Sequence, residues 1–252
     1  FLRIILIILS MLHISHLSVS IAEKSIISDF SYSFEKGNIY AILWKNGSGK
    51  SSLAFSLFRH PRYTVTGEVF YDKKDITHVS PDKLTGLGLF LSFQNVPEIP
   101  GIRLSEYLRT IHTIYFEHRY PDTPVPTPFV FRRMVEKLLP EYGIDKKFLE
   151  RDLNVGFSGG EKRRIELLQI ALLDPEYIVL DEIDSGLDIG AIEILSKQIA
   201  KWHELGKTCI VISHNFHLLD TVPVDQVLIM KNGKIDKNGW KELIQDIRMN
   251  GF

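Results

Sequence analysis

The chain has 252 residues and a mass of 28.9 kDa, the size of one large domain or two small ones. Thirty Lys plus Arg against 31 Asp plus Glu leave a net charge of −1, which excludes the strongly basic footprint of a protein that tracks nucleic acid backbone. Apolar residues at 44% and charged residues at 24% are ordinary globular usage, so disordered, collagenous and coiled-coil architectures drop out.

The chain opens on Phe1-Leu-Arg-Ile-Ile-Leu-Ile-Ile-Leu-Ser10. This run is well short of the roughly 20 apolar residues of a membrane-spanning helix, and Arg3 interrupts it. No small-residue cleavage site of a secretory signal stands after it. Residues 1–10 are read as an N-terminal extension without function, with a weak membrane-surface anchor as the alternative, and no direct membrane insertion is expected. From Met11 to Ile21 apolar and polar residues alternate, the period of a half-buried strand, and Ser31–Phe34 repeats the pattern. Residues 35–38 read as a turn and 38–43 as a short, fully buried strand. A glycine-rich turn and a helix at about 50–58 follow, the strand–loop–helix order of phosphate-binding folds.

In that turn, Asn46-Gly-Ser-Gly-Lys-Ser51 matches the back half of the pattern G-x-x-x-x-G-K-[ST]. Glycines there let consecutive backbone N–H groups curl around phosphate oxygens, and the following helix presents its positive end to them. Lys50 reaches the β- and γ-phosphates in such a loop, and the Ser51 hydroxyl binds Mg2+. Trp44 stands where the first glycine of the pattern belongs. If that position requires φ > 0, tryptophan costs about 1–2 kcal/mol and its bulk must find room.

Between about 95 and 160 strand patterns fade. Helix-like stretches at 103–118 and 129–142 flank Pro121-Asp-Thr-Pro-Val-Pro-Thr-Pro128, which holds four of the 11 prolines and reads as a stiff exposed loop. The sheet domain is therefore expected to carry a helical insertion. Next, Val155-Gly-Phe-Ser-Gly-Gly-Glu-Lys-Arg-Arg164 opens a helix: Ser158 is a good N-cap, Gly159 and Gly160 allow close backbone approach, and Leu167, Leu168, Ala171 and Leu172 supply an apolar face. It is a second anion-seeking helix start. Tyr177-Ile-Val-Leu-Asp-Glu182 is a buried strand ending in two carboxylates: Asp181 suits the water shell of Mg2+ and Glu182 the polarisation of an attacking water. A helix at about 190–204 and a strand in Thr208-Cys-Ile-Val-Ile-Ser213 come after it, and strand–helix–strand in that order predicts a parallel sheet. Cys209 is alone, which excludes an intramolecular disulfide and a cysteine-based zinc cage. In its apolar run it reads as a small buried hydrophobe of a reducing compartment. Gln226–Ile235 reads as a hairpin turning at Asn232-Gly233.

These motifs, in this order, resemble those of an ATP-binding-cassette (ABC) ATPase, from about Met11 to the carboxyl end. Phe157-Ser-Gly-Gly-Glu161 resembles the family's signature, usually L-S-G-G-Q, and Ser185-Gly-Leu-Asp188 resembles its D-loop. Gln94 resembles the Q-loop glutamine, and His214 the switch histidine. The resemblance implies an α/β P-loop NTPase fold of ABC nucleotide-binding type. Residues 11–252 then form one domain, with a RecA-like core (11–94 and 161–252), an antiparallel β portion and an inserted helical subdomain (about 95–160). Three tracts, at 93–101, 154–163 and 180–189, are closest to the Suf-type iron–sulfur cluster assembly ATPases. That likeness implies a subunit of the cytoplasm, or of the stroma-like compartment of an organelle. It would join two scaffold proteins resembling SufB and SufD and change their conformation by ATP binding and hydrolysis.

Carried over residue by residue, the resemblance implies ATP and Mg2+ as ligands. Asn46, Gly47, Ser48, Gly49, Lys50, Ser51 and Ser52 would bind the phosphates, and Ser51, Gln94 and Asp181 the metal. Glu182 would be the general base, with His214 at the γ-phosphate and Gln94 sensing metal and water. Ser158, Gly159, Gly160 and Asp188 would close on ATP held by a second copy, giving a transient ATP-dependent homodimer. Two departures stand out: Trp44-Lys45 replaces the usual Gly-Pro, and the adenine-stacking aromatic falls near Ile21. Two alternatives stay open: the nucleotide-binding subunit of a membrane transporter, and a scaffold subunit whose P-loop is impaired by Trp44.

Overall fold

The computed structural model describes residues 11–44, 50–92 and 96–251, with Lys50 described by its backbone alone. The expectations for residues 1–10, for Asn46, Gly47, Ser48 and Gly49, and for Gln94 lie outside the described residues.

Alternation in the first strand builds the first sheet. β1 (Met11–Ile21) buries Leu12, Ile14, Leu17 and Val19. It pairs antiparallel with β2 (Lys24–Glu35) and β4 (Thr64–Tyr71), and β5 (Lys74–Asp75) completes the order β2-β1-β4-β5. The second sheet is made of continuous apolar runs, as strands covered on both faces require. β3 (Ile39–Trp44), β6 (Leu89–Ser92), β9 (Tyr177–Asp181), β10 (Thr208–Ile212) and β11 (Gln226–Lys231) run parallel in the order β11-β3-β10-β9-β6. β12 (Lys234–Gly239) adds an antiparallel edge beside β11. Its turn residues Asn232 and Gly233 have φ of 50° and 75°, the left-handed pair that the hairpin reading demanded.

Successive residues of β3 serve two cores. Ile39, Ala41 and Leu43 join Leu104 and Leu108 of α3 (Leu104–Arg119), Leu168 of α5 (Gly159–Leu173) and Leu195 and Ile199 of α6 (Ile189–Glu204). Tyr40, Ile42 and Trp44 join Leu53 and Ala54 of α1 (Lys50–Leu57) and the buried face of β1. Cys209 is fully buried in the first core, and burial pushes its thiol far up from its ordinary value.

The insertion holds α3 and α4 (Pro128–Leu138), with the proline-rich stretch between them largely exposed. Two expectations are corrected here. The helix anticipated over 129–142 ends at Leu138, and Leu139–Tyr142 continues as a 3-10 turn, because Pro140 has no N–H to extend the α ladder. And 95–160 does contain strands: β7 (Ile99–Arg103) pairs antiparallel with β8 (Asp152–Leu153), a ribbon too short and irregular to show a period. At its far end α3 is clasped to the core, where Glu176 takes both Arg119 and Lys36. Burial works to raise the Glu176 carboxyl, but the two cations outweigh it and hold the group below its ordinary value. Short helices α2 (Pro81–Gly86), α7 (Phe216–Thr221) and α8 (Glu242–Asn250) complete the chain. Among the described residues no helix is long and apolar enough to cross a membrane.

Trp44 is 0% exposed and lies in strand register opposite Met230, so the left-handed penalty does not arise at this residue. Its bulk has found room in the core beneath α1. Trp44→Ala is therefore expected to destabilise the chain by about 3–5 kcal/mol, seen as a lower urea midpoint at unchanged m. Trp44→Phe is expected to cost less than about 1.5 kcal/mol, because it also removes an indole N–H that has no partner among the described residues.

Candidate functional site

Parallel pairing brings the chemistry to one edge. Ile212 of β10 lies beside Ile42 of β3 on one side and Asp181 of β9 on the other, so the three strands end together. Open α/β sheets offer their ligand crevice at these carboxyl ends. From the end of β3 the chain passes through 45–49 into α1, and the unpaired N–H groups of a helix start suit an anion. Ser52 in its first turn is buried and Ser51 is partly so.

At the end of β9, Asp181 is fully buried and Glu182 nearly so. Glu182 has φ of 48°, a left-handed backbone uncommon outside glycine, asparagine and aspartate, and its N–H donates to Ile212 O at 2.9 Å. That turn swings its carboxylate toward β10, where His214 Nδ1 stands 3.4 Å from Glu182 Oε1. The Glu182 side chain is 10% exposed and the His214 side chain 51%, so the pair faces solvent from the histidine side. Ser213 joins the two loops: its Oγ donates to Asp184 Oδ2 at 2.8 Å and accepts from Asn215 N–H at 2.9 Å. Sequence reasoning missed this Ser213–Asp184 bridge, for which the sequence carries no local signal.

The second helix start is built as its sequence indicated. Ser158 Oγ accepts from Glu161 N–H at 3.2 Å, and the Glu161 carboxylate accepts from Ser158 N–H at 2.7 Å. This reciprocal capping box follows from the Ser-x-x-Glu spacing. The Ser158 backbone N–H holds the Glu161 carboxyl below its ordinary value. A Cβ added at Gly159 or Gly160 would meet nothing within 4 Å among the described residues, so their flank is open. Asp188 caps α6, its Oδ1 accepting from Ala191 N–H at 2.7 Å.

Among the described residues no group of three or more His, Cys, Asp or Glu side chains could hold a metal by itself. One buried carboxylate, Asp181, beside a Ser-bearing helix start instead suits Mg2+, which keeps its waters and shares one or two protein ligands with substrate phosphates. A second feature adjoins the edge. A cleft of about 440 Å³ opens between β6, α1 and α3, with Phe55, Phe58, Phe90, Ile111, Ile114 and Tyr115 among its walls.

This architecture is that of a P-loop nucleotide-binding cassette. Of solved structures, an ATP-binding cassette described as a post-hydrolysis dimer bound to ADP and Pi superposes with a TM-score of 0.77 at 19% identity, covering 92% of this chain and 99% of that one. The ATP-bound form of a bacterial Atm1-family exporter gives 0.76 at 18% identity over 97% of this chain and 41% of that one. The family described as ABC transporter matches residues 27–185, and the chain belongs to it. "Probable ATP-dependent transporter SufC" of Escherichia coli is 35% identical over 96% of this chain and 97% of that protein. "Probable ATP-dependent transporter ycf16" of Guillardia theta is 38% identical over 96% and 95%. "Vegetative protein 296" of Bacillus subtilis is 35% identical over 96% and 92%. Membership makes the chain an ABC ATPase that binds ATP.

Removing half the capping box tests its weight. Ser158→Ala is expected to destabilise by about 1 kcal/mol and lower the melting temperature by about 2–4 °C. Glu161→Gln is expected to lower the melting temperature slightly at neutral pH, since a neutral amide accepts the Ser158 N–H more weakly than a carboxylate does. Because the folded Glu161 carboxyl lies below its unfolded value, its contribution is present at neutral pH and fades as pH falls through the folded value. The melting difference between wild type and Glu161→Gln should therefore shift in favour of glutamine on acidification.

Proposed function

We propose that the chain is the ATP-hydrolysing subunit of an iron–sulfur cluster assembly complex of Suf type, working with scaffold proteins like SufB and SufD. The observation that carries this reading is the end-to-end likeness to the E. coli protein named SufC, together with the tracts 93–101, 154–163 and 180–189. In this reading the protein works in the cytoplasm or in the stroma-like compartment of an organelle.

In this reading the backbone amides of 46–49, with Lys50, Ser51 and Ser52, hold the ATP phosphates. Ser51, Gln94 and Asp181 hold Mg2+, which neutralises phosphate charge when bound. Glu182 accepts a proton from water as the water oxygen bonds to the γ-phosphorus and the bond to the ADP oxygen breaks. His214 donates a hydrogen bond to a γ-phosphate oxygen, a role that its 3.4 Å approach to Glu182 and its half-exposed ring support. Ser158, Gly159, Gly160 and Asp188 close on the nucleotide of a second copy, the open flank of the two glycines leaving room for it. The helical subdomain of about 95–160 moves against the core of 11–94 and 161–252 as ATP is bound and lost. A scaffold helix docks in the cleft beside α3, so that closure of the cassettes pulls on the scaffold. The printed names of the relatives favour a second reading, a transporter subunit, in which the same cleft receives a permease.

Glu182→Gln is expected to lower turnover at least ~100-fold while ATP binding persists and a dimer accumulates on size-exclusion chromatography with Mg-ATP. Wild-type hydrolysis in that variant would remove Glu182 from its role. Co-expression with SufB-like and SufD-like proteins is expected to yield a stable complex that Ile114→Asp, in the cleft wall, weakens without loss of ATP binding. A stable complex with a permease and none with the scaffolds would establish the transporter reading instead.

A further inference from the structure

The stretch just past Gln94 is physically bound to the stretch just before Ser158. In the β7–β8 ribbon Ile99 pairs with Leu153 and Arg103 with Asp152, and Gly101 N–H donates to Asp152 Oδ2 at 2.9 Å. Asn154 Nδ2 donates to Pro97 O at 2.9 Å, and Lys162 Nζ meets Glu98 Oε1 at 2.7 Å. Lys162 lies in the first turn of α5, its own N–H bonded to Ser158 O at 3.0 Å. Phe157 is packed in place, edge-on to Phe148 at 4.8 Å with the Arg151 guanidinium 4.4 Å over its ring. Two polar links thus join residues 97 and 98 to both sides of the Ser158 cap.

Asn154 meets two requirements at once. Its φ of 62° favours glycine, asparagine or aspartate, and of these only asparagine also brings a side-chain N–H donor. It is 2% exposed, and its Oδ1 lacks a hydrogen-bond partner among the described residues. Stability alone is a weak reason to bury such an amide, because an unmet buried acceptor costs free energy. The Lys162–Glu98 pair, 20% and 48% exposed, also adds little to stability. Lys162 nevertheless holds the Glu98 carboxyl below its ordinary value through their hydrogen bond.

We propose that Asn154 and the Lys162–Glu98 pair are positioning residues for ATP hydrolysis: they fix the Ser158–Gly160 corner to residues 97–98, so that the two move as one body. This rests on the reading of Ser158–Gly160 as the part that closes on a second copy's nucleotide.

The test uses the full chain and three variants: Asn154→Gly, which keeps the left-handed turn and removes the amide, Lys162→Glu, and the charge-swapped double variant Lys162→Glu with Glu98→Lys. Each is measured for binding of a fluorescent ATP analogue, for kcat and KM against protein concentration, and for melting temperature. Each change is also made in a Glu182→Gln background and scored for ATP-dependent dimerisation. The two single variants are expected to bind the analogue within about twofold of wild type and to melt within a few degrees of it. Their kcat is expected to fall about fivefold to tenfold, with a matching loss of dimer, and the double variant to recover most of it. Wild-type kcat and dimerisation in both single variants would overturn the proposal, as would a Lys162→Glu loss that the charge swap leaves unrepaired. If the unaltered chain neither hydrolyses ATP nor dimerises as Glu182→Gln, the functional reading itself falls and takes this proposal with it.

Discussion

Everything at the site depends on the parallel pairing of three strands that are buried on both faces. β3, β10 and β9 carry apolar side chains without interruption, so neither face can turn to water and both must be covered. Helices cover one side, and α1 with the antiparallel sheet covers the other. Side-by-side parallel strands must end at the same edge, and that is why a helix start, a buried aspartate, a glutamate and a histidine from distant parts of the chain share one rim. Polar groups gather there because it is where backbone leaves the sheet and the strands stop hiding it.

Trp44 shows how such a core absorbs a departure from motif. Trp44 stands where the first glycine of the phosphate-loop pattern belongs, and an indole there looks obstructive in one dimension. In three dimensions it points into the core with Leu53 and Ala54, adding apolar contact beneath the very helix that follows the loop. Glu182 is the converse case. Its left-handed backbone is an energetic cost of about 1–3 kcal/mol at a residue that could have been relaxed, and strain of that kind collects at working sites.

The helical insertion is held at its two ends by different physics. At the carboxyl end of α3, Glu176 binds Arg119 and Lys36, and the turn at Gly88 is so close that an added Cβ would press on the Arg119 guanidinium. At the other end a two-strand ribbon and one buried amide tie the insertion's start to its finish, and one half-exposed ion pair, Lys162–Glu98, ties it to α5. Between these anchors lies the apolar cleft beside α3, bordered on one side by elements that belong to the sheet and on the other by the insertion.

Much was legible in the residues themselves. Unbroken apolar runs marked β3, β9 and β10, alternation marked β1, the Asn-Gly pair marked the turn before β12, and Ser158 ahead of two glycines marked the cap of α5. Each is a local consequence of side-chain size, polarity or backbone freedom, so a short window contains it. The ribbon of β7 and β8 escaped notice because five residues facing two leave no period to count. What the sequence by itself determined is therefore the inventory: which elements form, and which residues at their ends can grip phosphate or move a proton. Tertiary structure alone decided the meetings, such as Glu182 with His214 across 32 positions or Asn154 with Pro97 across 57. Those contacts arise from strand order and helix packing, which depend on the whole chain burying its apolar surface at once, and no local pattern encodes that.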